Sequence, residues 1–335
     1  MSSRKEVAEL AGVSEATVSR VLNGVGPMKE ETRRKVLAAA EQLGYVPSAI
    51  ARQFARRKSG NIGVILPFVP KVHLFSTYYF SEILSGIGEA AKRLGYDLLL
   101  IFRDEGLDYA QLFRMRKIDA CIVLGSQSTE EERNSLAELA REKYPFCLVN
   151  QRFDEEGYLS VDADHKTGSY EAVRHLIENG CKQIAFINGP ELYTNSLDRF
   201  EGYKKALAEA GLELSPELLF TGNYSSRSGY AAAAAIAERY KQGEVDAVFT
   251  ANDRMGIGLM NGLRACGIET GKQIAIIGYD DSDGSRIVHP QLSTVAVPFY
   301  EMGQRAAELL LNESIVQPQS EVLPVRLVKR ASSLF

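Results

Sequence analysis

Along the first 45 positions, apolar residues recur at the spacing of a single helix face. Val7, Leu10 and Ala11 fall at i, i+3, i+4, Val18, Val21 and Leu22 repeat that interval, and Val36, Ala39, Ala40 and Leu43 do so again. From Asn61 onward the pattern changes. Short continuous apolar runs occur at Ile62–Leu66, Leu98–Phe102, Ala120–Leu124, Cys147–Asn150, Ile184–Asn188, Ala247–Thr250 and Ile274–Gly278. Between them lie amphipathic stretches of helical length: Ser81–Leu94, Lys166–Asn179, Leu197–Ala210, Ser228–Lys241 and Arg254–Cys266. Strands that are apolar throughout bury both faces, so the alternation predicts parallel sheets covered by helices. Gly95, Gly180, Gly211 and Gly267 follow four of these helices as C-caps. The chain reads as an all-α head followed by a doubly wound α/β core.

Within the head, Ala11-Gly12-Val13-Ser14 separates the first two helices. Gly12 supplies the sharp turn, Val13 plugs the small core, and the Ser14 hydroxyl caps the next helix. Helix, glycine turn and helix form a helix-turn-helix plan. With Val18, Val21 and Leu22 inward, Glu15, Ala16, Ser19 and Arg20 share the outward face. There Arg20 is able to bridge O6 and N7 of a guanine in the major groove. On spacing alone, a three-helix packing domain with a solvated polar face fits equally well.

Charge adds an asymmetry. The 335 residues are 45% apolar and 24% charged, with a net charge of −4, which suits two or three globular domains and argues against a nucleic-acid partner. Split along the chain, the inference reverses. Residues 1–60 hold eleven Lys and Arg against six Asp and Glu, a balance of +5, while the rest carries −9. A basic head on an acidic body is the footprint of a DNA-reading module joined to something else.

The wording of the head carries a resemblance. Val7-Ala8, Ala11-Gly12-Val13-Ser14-Glu15-Ala16-Thr17-Val18-Ser19-Arg20-Val21-Leu22-Asn23, Thr32-Arg33, Val36, Leu43-Gly44-Tyr45-Val46-Pro47 and Ala51-Arg52-Gln53 resemble the LacI/GalR family of bacterial regulators. The resemblance resumes later and spans essentially the whole chain. It implies DNA contacts from Ser14, Glu15, Ala16, Thr17, Ser19, Arg20 and Asn23, with Glu15 and Ala16 at the positions that vary with operator sequence. Lys29 stands where the family usually has a Ser or Thr capping the third helix, so that helix start lacks an acceptor.

The resemblance also implies the architecture. Residues 1–47 are the helix-turn-helix domain, 48–60 a hinge, and 61–335 an effector-binding and dimerisation core of two subdomains of periplasmic-binding-protein type. The N-subdomain takes about 61–163 and 294–323, and the C-subdomain about 164–293 and 324–335, with crossovers near Asp162–His165, Ser293–Val295 and Leu323–Pro324. In the hinge, Ala51, Arg52 and Phe54 are implied DNA contacts. Phe54 replaces the usual minor-groove leucine wedge, and an aromatic ring is also able to wedge between base steps. The implied partners are palindromic operator double-stranded DNA, a small saccharide effector and a second copy of the chain, with no membrane.

Polar residues gather at predicted strand ends, where a parallel sheet binds ligands. Asn252-Asp253 follows one strand, Gly278-Tyr279-Asp280-Asp281 another, Asn150 ends a third, and Arg199 opens a helix after Gly189-Pro190. Amides, carboxylates and guanidinium groups make paired hydrogen bonds to neighbouring hydroxyls, and aromatic rings stack on the C–H faces of sugars. By resemblance, Asn150, Arg199, Asn252 and Asp280 are effector contacts and Tyr224 and Phe299 stacking positions. Tyr79 and Phe80 sit in an aromatic turn lengthened by Phe68–Thr77. Asn252 and Asp280 also fit a helix cap or turn, and the aromatics fit core packing.

Catalytic motifs fail on inspection. Gly256-Ile257-Gly258 meets Asn261 where a third glycine belongs, and Gly271-Lys272 is followed by Gln273 in place of Ser or Thr. His73, His165, His175 and His289 lack ligand spacing, so no metal or cofactor is expected, and each reads as an ordinary surface or core histidine. Four scattered cysteines and a charged Met1–Val13 without a signal-type apolar region lead us to expect a cytoplasmic protein. A chain ending at Phe335 without a heptad tail leads us to expect a dimer. The expectation is a non-enzymatic repressor of a carbohydrate-utilisation operon. The alternatives are a catabolite-control-type regulator with a phosphorylated carrier protein as co-effector, and a sugar-modifying α/β enzyme.

Overall fold

The computed structural model describes residues 2–24, 26–45, 58–67, 74, 77–104, 106–312, 314 and 319–334. The head consists of α1 (Arg4–Ala11), α2 (Glu15–Asn23) and α3 (Glu30–Gln42). Ser3 and Glu6 form a capping box on α1, and Gly12 closes it in the left-handed region at φ 66°. Ser14 caps α2 by accepting from the Thr17 N–H. Lys29 occupies the N-cap of α3 with no side-chain bond, as its chemistry dictates.

Val7, Val18 and Val36 are fully buried and form the centre of the head, with Ala8, Ala11, Val21, Ala39 and Ala40 around them. Leu10 departs from the periodicity, at 48% exposure. The inward stripe of α1 runs through Val7, Ala8 and Ala11 instead, a rotation that brings the small Ala8 against the core.

The core alternates strands and helices: β1 (Asn61–Pro67), α4 (Tyr78–Leu94), β2 (Asp97–Arg103), α5 (Tyr109–Arg114), β3 (Ala120–Leu124), α6 (Glu130–Arg141), β4 (Phe146–Val149) and β5 (Ser160–Ala163). The chain continues through α7 (His165–Glu178), β6 (Ile184–Asn188), α8 (Thr194–Glu209), β7 (Leu219–Thr221), α9 (Ser226–Lys241), β8 (Ala247–Thr250), α10 (Asp253–Ala265) and β9 (Ala275–Ile277). It ends with α11 (Asp283–Ile287), β10 (Thr294–Ala296), α12 (Phe299–Leu311), β11 (Glu321–Leu323) and β12 (Arg326–Val328).

Among the described residues, one sheet has six parallel strands in the order β11-β5-β4-β3-β1-β2, and a second has four in the order β7-β6-β8-β9. An antiparallel pair, β10 and β12, lies beside the second sheet through bridges Ile277–Ser293 and Asp280–Ala296. The chain passes between lobes at Asp164, at Val297-Pro298 and at Pro324-Val325. Because all strands of each sheet run the same way, the loops after β1, β3 and β4 and those after β6, β8 and β9 open on one side.

Two helix pairs hold these lobes through glycines. A Cβ on Gly86 of α4 would run into the Tyr300 carbonyl of α12, and one on Gly303 into that of Ile83. Gly229 of α9 and Gly258 of α10 allow the same close approach in the second lobe.

Candidate functional site

Two surfaces carry the candidate chemistry. On the head, Glu15, Ala16 and Arg20 are exposed on α2, Thr17 and Ser19 are partly so, and Ser14 is committed to the cap. Asn23 is buried, with its Nδ2 donating to Ser19 Oγ at 3.2 Å, so it positions Ser19. Glu15 accepts from Arg4 Nε at 3.0 Å in an exposed ion pair, an interaction worth about 0–1 kcal/mol that a base edge readily replaces. The Arg20 guanidinium lies beside Gly26, where a Cβ would stand 2.9 Å from Nη2. Ala51, Arg52 and Phe54 lie outside the described residues.

The second surface is a cavity of about 400 Å³ between the lobes. Tyr79, Phe80, Asn150, Arg199, Tyr224, Asn252, Asp280 and Phe299 all line it, although they come from widely separated parts of the chain. Tyr79 meets Phe80 edge-on at 4.7 Å and Phe299 at 5.2 Å, so one wall is aromatic. Tyr193 and Tyr224, 5.9 Å apart, face it from the second lobe.

Local structure sets each polar group. Asn252 caps α10, with Oδ1 accepting from Met255 N at 2.9 Å and Nδ2 donating to the Tyr224 carbonyl at 3.0 Å. Its amide is therefore already engaged and fixes the turn that carries Tyr224. Asn150, Tyr224 and Asp280 hold φ values of 61°, 64° and 116°, unusual for residues with a side chain. Such local strain gathers where surrounding structure fixes a binding geometry.

Arg199, 3% exposed, stacks over the Tyr279 ring at 4.3 Å. It contacts Asn195 Oδ1, the Tyr224 hydroxyl and His165 Nδ1 at 3.4–3.5 Å, and its Nε has no partner among the described residues. Asp280 stands near Asp253, a fully buried carboxyl that accepts from Ser282 N, Ser282 Oγ and Thr294 Oγ1 at 2.6–2.8 Å. Burial, then the neighbouring Asp253 charge, raises the Asp280 carboxyl well above its ordinary range.

His165 is fully buried and joins the lobes, a role its isolated position in the sequence did not signal. Its Nε2 faces Asn150 Oδ1 at 2.6 Å and Asp162 Oδ1 at 3.5 Å, both acceptors. Nδ1 is left to accept from the Tyr279 hydroxyl at 3.2 Å and from Arg199 Nη2. That arrangement needs the neutral ring, and burial, then the Arg199 charge, pushes the imidazole below its usual value. Next to it, Arg152 bonds both Asp162 of β5 and Asp198 of α8, stapling one lobe to the other.

Tyr193, Gln127, Asn195 and Arg254 also line the cavity and escaped the sequence reading. Gln127 Nε2 donates to the Tyr193 hydroxyl across the cleft at 2.8 Å. Asn195 had a legible signal, since it lies one turn before Arg199 on the same helix. Gln127 and Tyr193 sit in loops that carry no period.

Comparisons with known proteins fit this geometry. A family model for bacterial regulatory proteins of the lacI family matches residues 4–48, and one for a periplasmic binding protein-like domain matches 173–333. The chain is 32% identical to the HTH-type transcriptional regulator RegA of Clostridium saccharobutylicum, over 99% of each. Its fold is similar to a CelR–cellobiose complex, with a TM-score of 0.74 at 30% identity over 99% of this chain and 100% of that one. It is also similar to a lac repressor dimer bound to operator and the anti-inducer ONPF, with a TM-score of 0.84 at 27% identity over 100% and 99%.

Proposed function

The chain belongs to the LacI family of bacterial transcriptional regulators, and from that premise we propose that it represses a carbohydrate-utilisation operon under the control of a saccharide in the inter-lobe cavity. Two copies bind a palindromic operator, each placing α2 in a major groove about one DNA turn from the other. The similar lac repressor dimer on its operator and the similar CelR bound to cellobiose support both halves of this reading.

The observation that carries it is the convergence of Asn150, Arg199, Tyr224, Asn252, Asp280 and Phe299 on one aromatic-walled cavity at the strand ends. On this reading, residues 1–47 read DNA, 48–60 form the hinge, and 61–335 sense the effector and dimerise. Ligand closure couples to the operator through the lobe-spanning groups His165 and Arg152. Its influence on DNA affinity equals its differential affinity for the two states, typically about 1–3 kcal/mol. The protein works in the cytoplasm, as a DNA-binding regulator without catalytic chemistry.

A thermal-shift screen against mono- and oligosaccharides, followed by operator retention assays, tests this. A sugar that raises the melting temperature and changes operator retention is the expected result. If purified protein turns a sugar over, or if phosphorylated carrier protein alone alters retention, the reading fails.

A further inference from the structure

The cavity carries more positive charge than its walls neutralise. Arg199 is buried to 3% exposure, yet its polar contacts are neutral groups at 3.4–3.5 Å, and no carboxylate pairs with it among the described residues. One of those groups, His165, accepts through Nδ1 and holds no charge in this arrangement. The Nε proton of Arg199 meets no acceptor at all among the described residues. A buried charge is normally paired, because its desolvation otherwise goes uncompensated.

A second guanidinium stands on the same wall. Arg254, exposed in the first turn of α10, lines the cavity and makes neither a hydrogen bond nor an ion pair among the described residues. Its charge acts on the Asp280 carboxyl, as that of Arg199 does, so both guanidinium groups face the same carboxyl at the cavity wall. The third lining arginine, Arg103, is already neutralised by Glu132 at 2.7 Å.

Against these two, Asp280 is the single carboxyl among the described lining residues. Burial, then the charge of the neighbouring Asp253, raises its carboxyl above the ordinary range. Asp280 faces both guanidinium groups and brings one carboxyl against two cations, so it does not balance Arg199 and Arg254 together.

We propose that the effector is an acidic saccharide, a sugar bearing a carboxylate or phosphate whose anion lies between Arg199 and Arg254. This rests on the reading of the cavity as the effector site. Hydroxyls of the same sugar meet Asp280, Asn195 and the Tyr224 phenol, and its apolar face meets Phe299. Arg254 sets the preference for acid over neutral sugar, since a charge-assisted hydrogen bond is about twice as strong as a neutral one.

Isothermal titration of the full-length chain at pH 7 compares D-glucose and D-galactose with D-glucuronate, D-galacturonate and D-glucose 6-phosphate, and gel retardation on operator DNA runs alongside. At least one acid is expected to bind about tenfold or more tightly than its neutral parent. Tighter binding by the uronates assigns a carboxylate, and tighter binding by the phosphate ester assigns a phosphate. Arg254→Gln is expected to bring acid and parent to within about threefold, and Arg254→Lys to retain part of the preference; circular dichroism melts report whether each variant is folded. If neutral sugars bind as tightly as their acids, or if folded Arg254→Gln keeps the preference, the proposal is overturned and the effector reading stands. If no sugar binds and none changes operator retention, the effector reading falls and the proposal with it.

Discussion

At the scale of single residues, function divides between groups that face outward and groups that hold them. Arg20 is exposed on α2 with its guanidinium beside Gly26, on the face turned away from the head's core. Arg20→Ala is expected to cost about 1–3 kcal/mol of operator affinity, the worth of one bidentate base contact. Fluorescence anisotropy on operator and scrambled duplexes measures it, and equal binding by variant and parent removes Arg20 from base readout. Asn150, Asn252 and Asp280 were legible as polar residues at predicted strand ends, whereas the roles given to Arg199, Tyr224 and Phe299 came from the family resemblance. The buried holders were not legible. Asn252 reads as a ligand contact, yet both ends of its amide are taken by the turn. His165 reads as an ordinary histidine because nothing in the chain announces that Asn150, Asp162, Tyr279 and Arg199 converge on it.

Arg152 and Asp162 give that network a pH signature. Burial alone raises the Asp162 carboxyl, but the His165 hydrogen bond and the Arg152 charge outweigh it and hold the group below its ordinary value. A carboxyl depressed in the folded state contributes stability above its unfolded pKa and loses it as pH falls through the folded one. Arg152→Met leaves Asp162 buried without its cation, which is expected to cost about 3 kcal/mol at pH 7. The difference shrinks as pH falls toward about 4, because protonation then removes the stranded charge. Urea melts of both proteins across that range measure it, and a pH-independent difference excludes Asp162 as the cause.

At the scale of elements, the long periodic segments were legible and the short ones were not. Ala120–Leu124, Ile184–Asn188 and Ala247–Thr250 occur as strands with the bounds their apolar runs predict, because complete burial demands an unbroken run. β9 falls inside the apolar run Ile274–Gly278, whereas β7, β10, β11 and β12 each span three residues, too few to establish a period, and their pairing comes from the sheets they border. Alpha5 and α6 pass unmarked for different reasons: the first has six residues, and the second carries three successive glutamates in its opening turn. Small-residue contacts between helices follow the same logic, since a glycine on a helix face says nothing of what approaches it. Gly303→Ala would drive a methyl into the Ile83 carbonyl of α4 and is expected to destabilise the first lobe by about 1–3 kcal/mol. A thermal melt checks it, and an unchanged melt means α4 and α12 part without penalty. In the head, Ser14→Ala removes the acceptor for the Thr17 N–H and is expected to cost about 1 kcal/mol, read from amide exchange of α2.

At the scale of the whole molecule, the division of charge explains how an acidic protein binds DNA. The +5 of residues 1–60 meets phosphates, while the −9 of the rest keeps the sensing lobes off the duplex. A single small head has few contacts, so affinity for a palindrome depends on two heads being joined. The join is expected at the sheet edge. Edge strand β2 leaves Leu98 at 36% and Leu100 at 40% exposure, alternating outward on a strand that pairs only with β1 among the described residues. Apolar side chains left open along an edge call for a cover, and a second copy of the same lobe is expected to supply one. Leu100 lies outside the cavity lining, so a charge there separates subunits without touching the ligand. Leu100→Glu is therefore expected to sediment as a monomer, to keep its ligand-induced thermal shift, and to lose at least about 100-fold in operator affinity as the second head is released. A variant that remains dimeric places the seam elsewhere, and one that becomes monomeric yet binds the full operator normally would show that the two heads act independently.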